Sequence, residues 1–341
     1  MTLVPTILKA SPEAGVPGGE VTLTCSDFDT SNFRNCKVLF GSTQGRIISA
    51  SSNRVIVAIP EVASAEDRLA GIKLSTGGVE SNQISFKVAE KVAENLHPVA
   101  NPAFDRDTGN LYTTLSGSRG QKVPVSVWKI SPLGEMTAFL SNVMNPTGIA
   151  FDREGTMFVS SRHDSTVYKI SPFKEAEPFA KNLGIATGIA FDSKGFLYVG
   201  DRQGTIHKVS EYGDAKHFAS LEPSVSAYHL AFSSDDHLYV TGPTASSYES
   251  IMKISPDGEV SRFYTGLGRP QGLAFDKEEN LYVVASYQGR RGIVKINPKK
   301  EVEFVVSGNA LVGLVFDDSG NMLIATGKEI YKIPLAIKGI L

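Results

Sequence analysis

The sequence predicts an all-β chain in two parts, a small front β-sandwich followed by a six-bladed β-propeller. Three observations predict it. Short runs rich in β-branched and aromatic residues recur along the chain, punctuated by Gly, Asp, Asn and Pro. No helix-sized window shows an apolar period of 3.6 residues. From about residue 90 onward, one motif returns six times. A chain of 341 residues is too long for one ordinary compact domain, whereas a repeat fold accommodates that length.

The front part comes first. Residues 4–88 hold alternating strands such as TLTC, KVLF and RVIVA, separated by Pro-Gly-Gly, Gly-Gly and Ser-Asn turns. Cys25 and Cys36 share the inward parity of Val21, Leu23, Val38 and Phe40. Two cysteines exclude a disulfide-framework fold and a Cys-rich zinc site. They read either as two core thiols or as one bridge, because sequence does not supply the Cα separation a disulfide demands. The segment resembles the IPT/TIG immunoglobulin-like domain through Pro12 to Gly15, Gly18-Gly19, Phe40-Gly41 and Ser81-Asn82. Some members of that family bind DNA. Here the strand-end loops carry little positive charge, so a spacer or adhesive role is expected. The domains are placed at 1–89 and 90–341, with almost no linker and hence a fixed angle between them.

The repeat explains the rest. NPAFD, GIAFD, GIAFD, HLAFS, GLAFD and GLVFD begin the six units, with Phe104, Phe151, Phe191, Phe232, Phe275 and Phe316 as markers. A second signature (VWKIS, VYKIS, IHKVS, IMKIS, IVKIN, IYKIP) carries Lys129, Lys169, Lys208, Lys253, Lys295 and Lys332. A third carries Phe139, Phe179, Phe218, Phe263 and Phe304. Four short strands in about 40 residues is the size of a propeller blade. The D-x-x-G and D-x-x-N stretches are turns, and their aspartates are read as structural. These motifs resemble the NHL family of six-bladed propellers over about 90–341. That resemblance implies a binding platform more often than an enzyme. The related gluconolactonase/regucalcin-like and amidating-lyase propellers share the architecture and are catalytic.

KVAENLHPVANPAFD aligns with PFAKNLGIATGIAFD, which sets Val92 where Phe179 stands, in a blade's outermost strand. Residues 90–95 are therefore expected to close the ring and remove an exposed edge. The competing strand is LAIKGIL, residues 335–341.

Charge then separates the two faces of the ring. Turns between first and second strands are acidic. Loops between second and third strands carry Arg119, Lys122, Arg162, Arg202, Arg290, Arg291 and Lys328 against Asp164, Asp201, Glu249 and Glu329, and are mildly basic. A basic rim favours an anionic or polyhydroxylated ligand, since arginine recognises carboxylate and phosphate with a planar fork. The channel mouth is assigned to Ala100, Thr147, Thr187, Tyr228, Gln271 and Val312. The candidate ligand-binding set is Thr147, Arg162, Thr187, Arg202, Tyr228, Gln271, Tyr287, Arg290 and Arg291.

The leading expectation is therefore non-enzymatic recognition of a polar or anionic small molecule, carbohydrate or protein, with no cofactor and no catalytic residue. The alternative is a metal-dependent hydrolase or lyase of the gluconolactonase-like group, holding calcium or zinc with His163, His229, Asp164 or Asp201. The resemblance implies a Glu, Asn and Asp metal set at the channel mouth, and none of the six aligned positions is one of these. His97, His163 and His229 are a further zinc candidate, from separate blades with no spacing that forces convergence. Ser160, Ser161, His163 and Asp164 share one loop, but adjacency does not make a triad. Lys and Arg number 34 against 36 Asp and Glu, so no global field draws the chain to nucleic acid or an anionic membrane. No apolar run approaches the ~20 residues that span a bilayer. No export signal opens the sequence, which is compatible with a cytoplasmic protein or a mature secreted form.

Overall fold

The computed structural model describes residues 4–245 and 249–340. Among the described residues the protein is all-β apart from two short helical segments. The helix Ala65–Ala70 begins at Ser64, whose hydroxyl accepts from the Asp67 amide at 3.0 Å, a standard N-cap. No helix among the described residues is long and apolar enough to cross a membrane.

The front part departs from the expected two-sheet sandwich. Its strands form one antiparallel seven-stranded sheet. In order these are Thr6–Ser11, Glu20–Ser26, Arg54–Ala58, Thr43–Ala50, Cys36–Phe40, Ile72–Thr76 and Val79–Glu80. The strand Thr43–Ala50 serves both halves: Gly45 pairs with Val38, and Ile47 pairs with Val57. A Cβ on Gly45 would lie 2.7 Å from both Phe40 and Val57, so glycine alone lets the halves approach there. The sheet wraps a core of Val21, Leu23, Phe28, Val38, Phe40, Val55, Val57, Ile72, Leu74 and Phe86. Cys25 and Cys36 both lie in it as free thiols, which closes the question of a bridge.

The second part is a propeller-like ring of sheets. Six similar four-stranded blades were expected; five sheets have that form, starting with Ala103–Phe104, Leu111–Thr114, Val127–Ile130 and Met136–Leu140. The remaining unit, Leu273–Phe275, Leu281–Tyr287, Arg290–Ile296 and Val302–Ser307, belongs to a six-stranded sheet. Ala14–Gly15 and Lys87–Val88 of the front part extend it, with Ala14 beside Val306 and Gly15 beside Ser307 in parallel register. The last sheet takes Glu90–Ala93 as its outer strand, antiparallel to Ile330–Pro334. The segment after Pro334 turns away instead. Gly339 bridges to Asp276 and the Ile340 amide donates to Phe275 at 2.9 Å, while Leu341 lies outside the described residues.

The repeated aromatics hold neighbouring sheets together. Tyr112 meets the edge of Phe139 in its own sheet at 4.8 Å and of Phe151 in the next at 5.6 Å. Phe158, Tyr198 and Tyr239 repeat the arrangement with Phe179 and Phe191, Phe218 and Phe232, and Phe263 and Phe275. Each such edge-to-face pair contributes about 0.5–1.5 kcal/mol beyond its buried area. At the closing seam Leu323 and Val92 replace the aromatics and pack with Phe104. Three of the repeated lysines lie over these rings: Lys169 over Phe158 at 5.9 Å, Lys208 over Tyr198 at 5.2 Å and Lys253 over Tyr239 at 5.5 Å.

Candidate functional site

Around the axis the innermost strands approach closely. A Cβ on Gly148 would sit 2.7 Å from the Thr187 carbonyl oxygen, and one on Gly313 2.6 Å from Asn101 Cα. Asn101 and His229 occupy the register that glycine fills in the other units. Asn101 donates to the Leu273 carbonyl at 2.8 Å and accepts from the Leu314 amide at 3.2 Å, stitching two sheets together. His229 is 3% exposed, and its Nδ1 has no hydrogen-bond partner. Burial pushes its pKa down to about 4, so the ring is neutral.

The residues assigned to the channel mouth are largely enclosed. Thr147, Thr187 and Tyr228 are each buried. Thr187 donates to the Gly200 carbonyl at 2.9 Å and accepts from the Tyr228 amide at 3.1 Å. The Tyr228 hydroxyl donates to the Glu222 carbonyl, and burial, then Asp201 and Glu222, push it up to about 12. Thr147 Oγ1 is buried without a partner. Gln271 is half-buried and uses its backbone, with its amide on Val284 at 2.8 Å. At this level the axis is a packed core with little surface to offer a ligand.

The blade loops above it differ. Arg162 and Arg202 hold equivalent positions at the ends of the strands Met157–Ser161 and Leu197–Asp201. Arg162 Nη2 donates to the Gly117 carbonyl at 2.9 Å, while its Nε is buried and unpaired. Arg202 Nε donates to the Ser224 carbonyl at 3.1 Å. Burial, then Arg202 and Arg119, lower the pKa of Arg162, so both of those cations lie within electrostatic reach of Arg162. Among the described residues none of the three makes an ion pair.

Asn145 organises this face, and the repeat gave no signal for it. It is fully buried with φ 45°, accepts from the Gly120 amide at 2.7 Å, and donates to Gly117 and Ser118, each at 2.9 Å. The loop that carries Arg119 is thereby pinned to the neighbouring sheet. Asp201, by contrast, ties down its own unit, accepting from the Ile185 amide at 2.8 Å and from the Gln203 amide at 3.0 Å.

The remaining nominated residues fall elsewhere. Arg290 Nη1 donates to both the carbonyl and the hydroxyl of Ser11, each at 3.1 Å, and its guanidinium stacks over Phe304 at 4.7 Å. It therefore joins the ring to the front domain, where a solvent-facing ligand contact was expected. Repeat alignment cannot see a contact spanning 279 residues. Tyr287 packs into the adjoining core, and Arg291 is exposed beside it.

Nor do the catalytic alternatives assemble. Ser160 and Ser161 are fully buried and donate to the Thr187 and Met144 carbonyls, and Asp164 accepts from the Tyr168 hydroxyl. His97 and His163 are exposed, whereas His229 is enclosed. Among the described residues, no three His, Cys, Asp or Glu side chains gather as a metal would require. Two surface clefts lie away from the arginines. One of about 380 Å³ is lined by Tyr239, Lys253, Phe263 and Lys300; one of about 660 Å³, in the front domain, is lined by Asp27, Asp29, Asn32 and Asn53.

Residues 5–92 match the IPT/TIG domain family. No curated protein matches the chain. Several solved structures share its architecture. An auxiliary nutrient binding protein from Bacteroides thetaiotaomicron has a TM-score of 0.56 at 14% identity, covering 97% of each chain. A gluconolactonase from Xanthomonas campestris has a TM-score of 0.61 at 14% identity, over 87% of this chain and 97% of its own. A virginiamycin B lyase from Staphylococcus aureus, solved with quinupristin, has a TM-score of 0.52 at 14% identity, over 97% and 98%. At such identities the likeness shows the fold alone; this chain is all-β, with a TIG domain and a propeller-like ring of sheets.

Proposed function

We propose that this protein is a non-catalytic binding module that recognises an anionic ligand at the face formed by Arg119, Arg162 and Arg202. In this reading the composite sheet serves as the sixth blade of an NHL-type ring, and the immunoglobulin-like front domain ends near residue 89 as a rigid spacer. One observation carries it: three neighbouring arginines lie together without a carboxylate partner among the described residues, with Arg162 Nε buried and unpaired. Burying part of a cation beside two others is unfavourable unless an anion completes the site. Guanidinium forks held by backbone carbonyls are already oriented, so binding an oxyanion costs little ordering.

The name of the nutrient-binding neighbour accords with a binding role. The enzymatic reading draws on the gluconolactonase and lyase neighbours, but among the described residues no three His, Cys, Asp or Glu side chains gather to support it. Thermal shift against citrate, galacturonate and phosphate tests the proposal. A ligand at roughly 100 times its Kd stabilises the folded state by about 2.7 kcal/mol. The wild type should gain several degrees in Tm with at least one anion, and the double variant R162Q/R202Q should gain none. Equal responses in both proteins would remove the arginines from any binding role.

A further inference from the structure

The fourth unit lacks a carboxylate that its neighbours use. In the third and fifth units an aspartate just after the inner strand accepts from a tyrosine further on: Tyr198 donates to Asp192 Oδ2 at 3.2 Å and Tyr282 to Asp276 Oδ2 at 3.1 Å. Lys208 also approaches Asp192 Oδ2, at 3.8 Å. In the fourth unit Ser233 stands at that register, ahead of Tyr239 and Lys253. Its hydroxyl turns instead to Asp235 Oδ1 at 2.5 Å. The Tyr239 ring is nevertheless held as the Tyr198 ring is. Phe263 and Phe275 lie 5.0 and 4.8 Å from it, against 4.9 and 5.0 Å for Phe218 and Phe232 around Tyr198. Burial, then Asp235 and Glu279, push the Tyr239 hydroxyl up to about 12, so it keeps its proton. Among the described residues it has no acceptor.

A cleft opens where that carboxylate is missing. It holds about 380 Å³ between the fourth unit and the composite sheet, and Ser233, Tyr239 and Lys253 all line it. Arg262 and Lys300 line it too, with Lys300 Nζ 5.5 Å from the centre of the Phe263 ring. Among the described residues none of Lys253, Arg262 and Lys300 makes an ion pair. The lining carboxylates are engaged by their own surroundings: Asp235 by Ser233 and by His237 Nδ1 at 2.9 Å, and Glu279 Oε1 by the Ser234 amide at 3.2 Å. Phe263, Phe275 and Pro298 supply an apolar wall. A hydroxyl donor, unpaired cations and apolar surface thus meet in one concave space, which is how small-molecule sites are built.

We infer that this cleft binds a small organic acid whose carboxylate takes the place of the missing side chain, accepting from Tyr239 and pairing with Lys253, while its apolar body lies against Phe263 and Pro298. Ser233 and Asp235 belong to a turn between first and second strands, so the cleft lies at the strand ends opposite the loops of Arg162 and Arg202, and the inference stands apart from the arginine face. A hydrogen bond to an ionised acceptor is roughly twice as strong as a neutral one, so the charge of the acid should matter more than its shape.

Calorimetry on the full chain with benzoate, butyrate, their neutral amides and inorganic phosphate tests this. At least one acid should bind, and its amide should bind at least roughly tenfold more weakly. Y239F and K253M should each weaken the acid by roughly tenfold. An unchanged Tm for Y239F confirms that its ring still packs. The double variant S233D/D235N moves a carboxylate to the register of Asp192 and Asp276, so it should abolish binding and raise the Tm of the free protein. R162Q/R202Q should bind the acid as the wild type does. Loss of binding in R162Q/R202Q with K253M unaffected would place the acid on the arginine face and overturn this site. Equal binding by S233D/D235N and the wild type, or silence of both acids, would also overturn it. Phosphate binding with both acids silent would overturn the carboxylate class.

Discussion

Arg162 donates to the carbonyl oxygen of Gly117 across a 2.9 Å gap, and the buried amide of Asn145 donates to the same oxygen at 2.9 Å. Two donors from one sheet thus grip a loop of its neighbour, and that loop carries Arg119. The basic face is preorganised by a residue that never touches solvent.

Asn145→Ala should therefore damage the face and the fold together. The substitution removes three hydrogen bonds and leaves the Gly120 amide without its acceptor. Leaving buried polar groups unpaired costs about 1–3 kcal/mol. Urea unfolding should show a lower midpoint with an unchanged slope, and anion affinity should fall even though no arginine has been altered. Unaltered binding in the variant would mean that the loop is held by other contacts.

Much of the fold was legible because a repeat constrains it many times over. The markers Phe151, Phe191, Phe232, Phe275 and Phe316 lie at inner-strand ends where edge-to-face contacts join sheets. The acidic turns are indeed acceptors for their own backbone, as when Asp276 takes the Glu278 and Asn280 amides at 2.9 and 2.8 Å. Val92 occupies the outer strand that its alignment with Phe179 assigned to it. The candidate site was legible only in part. Arg162 and Arg202 stand on the loop face, yet Tyr228 folds into the core and Arg290 is drawn to Ser11. A repeat sets the position of each residue within its blade. It says nothing of side-chain direction where units differ, nor of contacts made by a domain outside the repeat.

Stability should depend on pH through His229. Its pKa falls from 6.5 to about 4 because the folded protein encloses it. An unfolded chain takes up a proton between those values that the folded chain refuses. Stability is thus fully present above pH 6.5 and declines as the pH falls towards 4. At 1.36 kcal/mol per pH unit the decline amounts to about 3 kcal/mol. His229→Asn, which places at this register the residue found at Asn101, should flatten that part of the profile in denaturant titrations at stepped pH. A profile of the same steepness in the variant would assign the pH dependence to other groups.

The junction between front domain and ring supports a third prediction. The Val16 amide donates to the Ser307 carbonyl at 2.8 Å, the Glu20 amide to Ser307 Oγ at 2.7 Å, and Asn309 to the Gly18 carbonyl at 2.6 Å. Ala14, Val16 and Ala89 sit in the same apolar cluster as Ile293, Val306 and Leu314. Shared strands and a shared core leave little for either part to do alone, so calorimetry should record one unfolding transition. Ser307→Ala orphans the Glu20 amide and should lower the Tm of that single transition, by an amount corresponding to about 1 kcal/mol. R290A should add to the loss, because Arg290 grips Ser11 at a separate point of the junction. Two separate transitions in the wild type would show that the continuous sheet does not couple the domains. If instead the double variant alone splits into two, the junction hydrogen bonds are what fuse them, since the apolar cluster is unchanged.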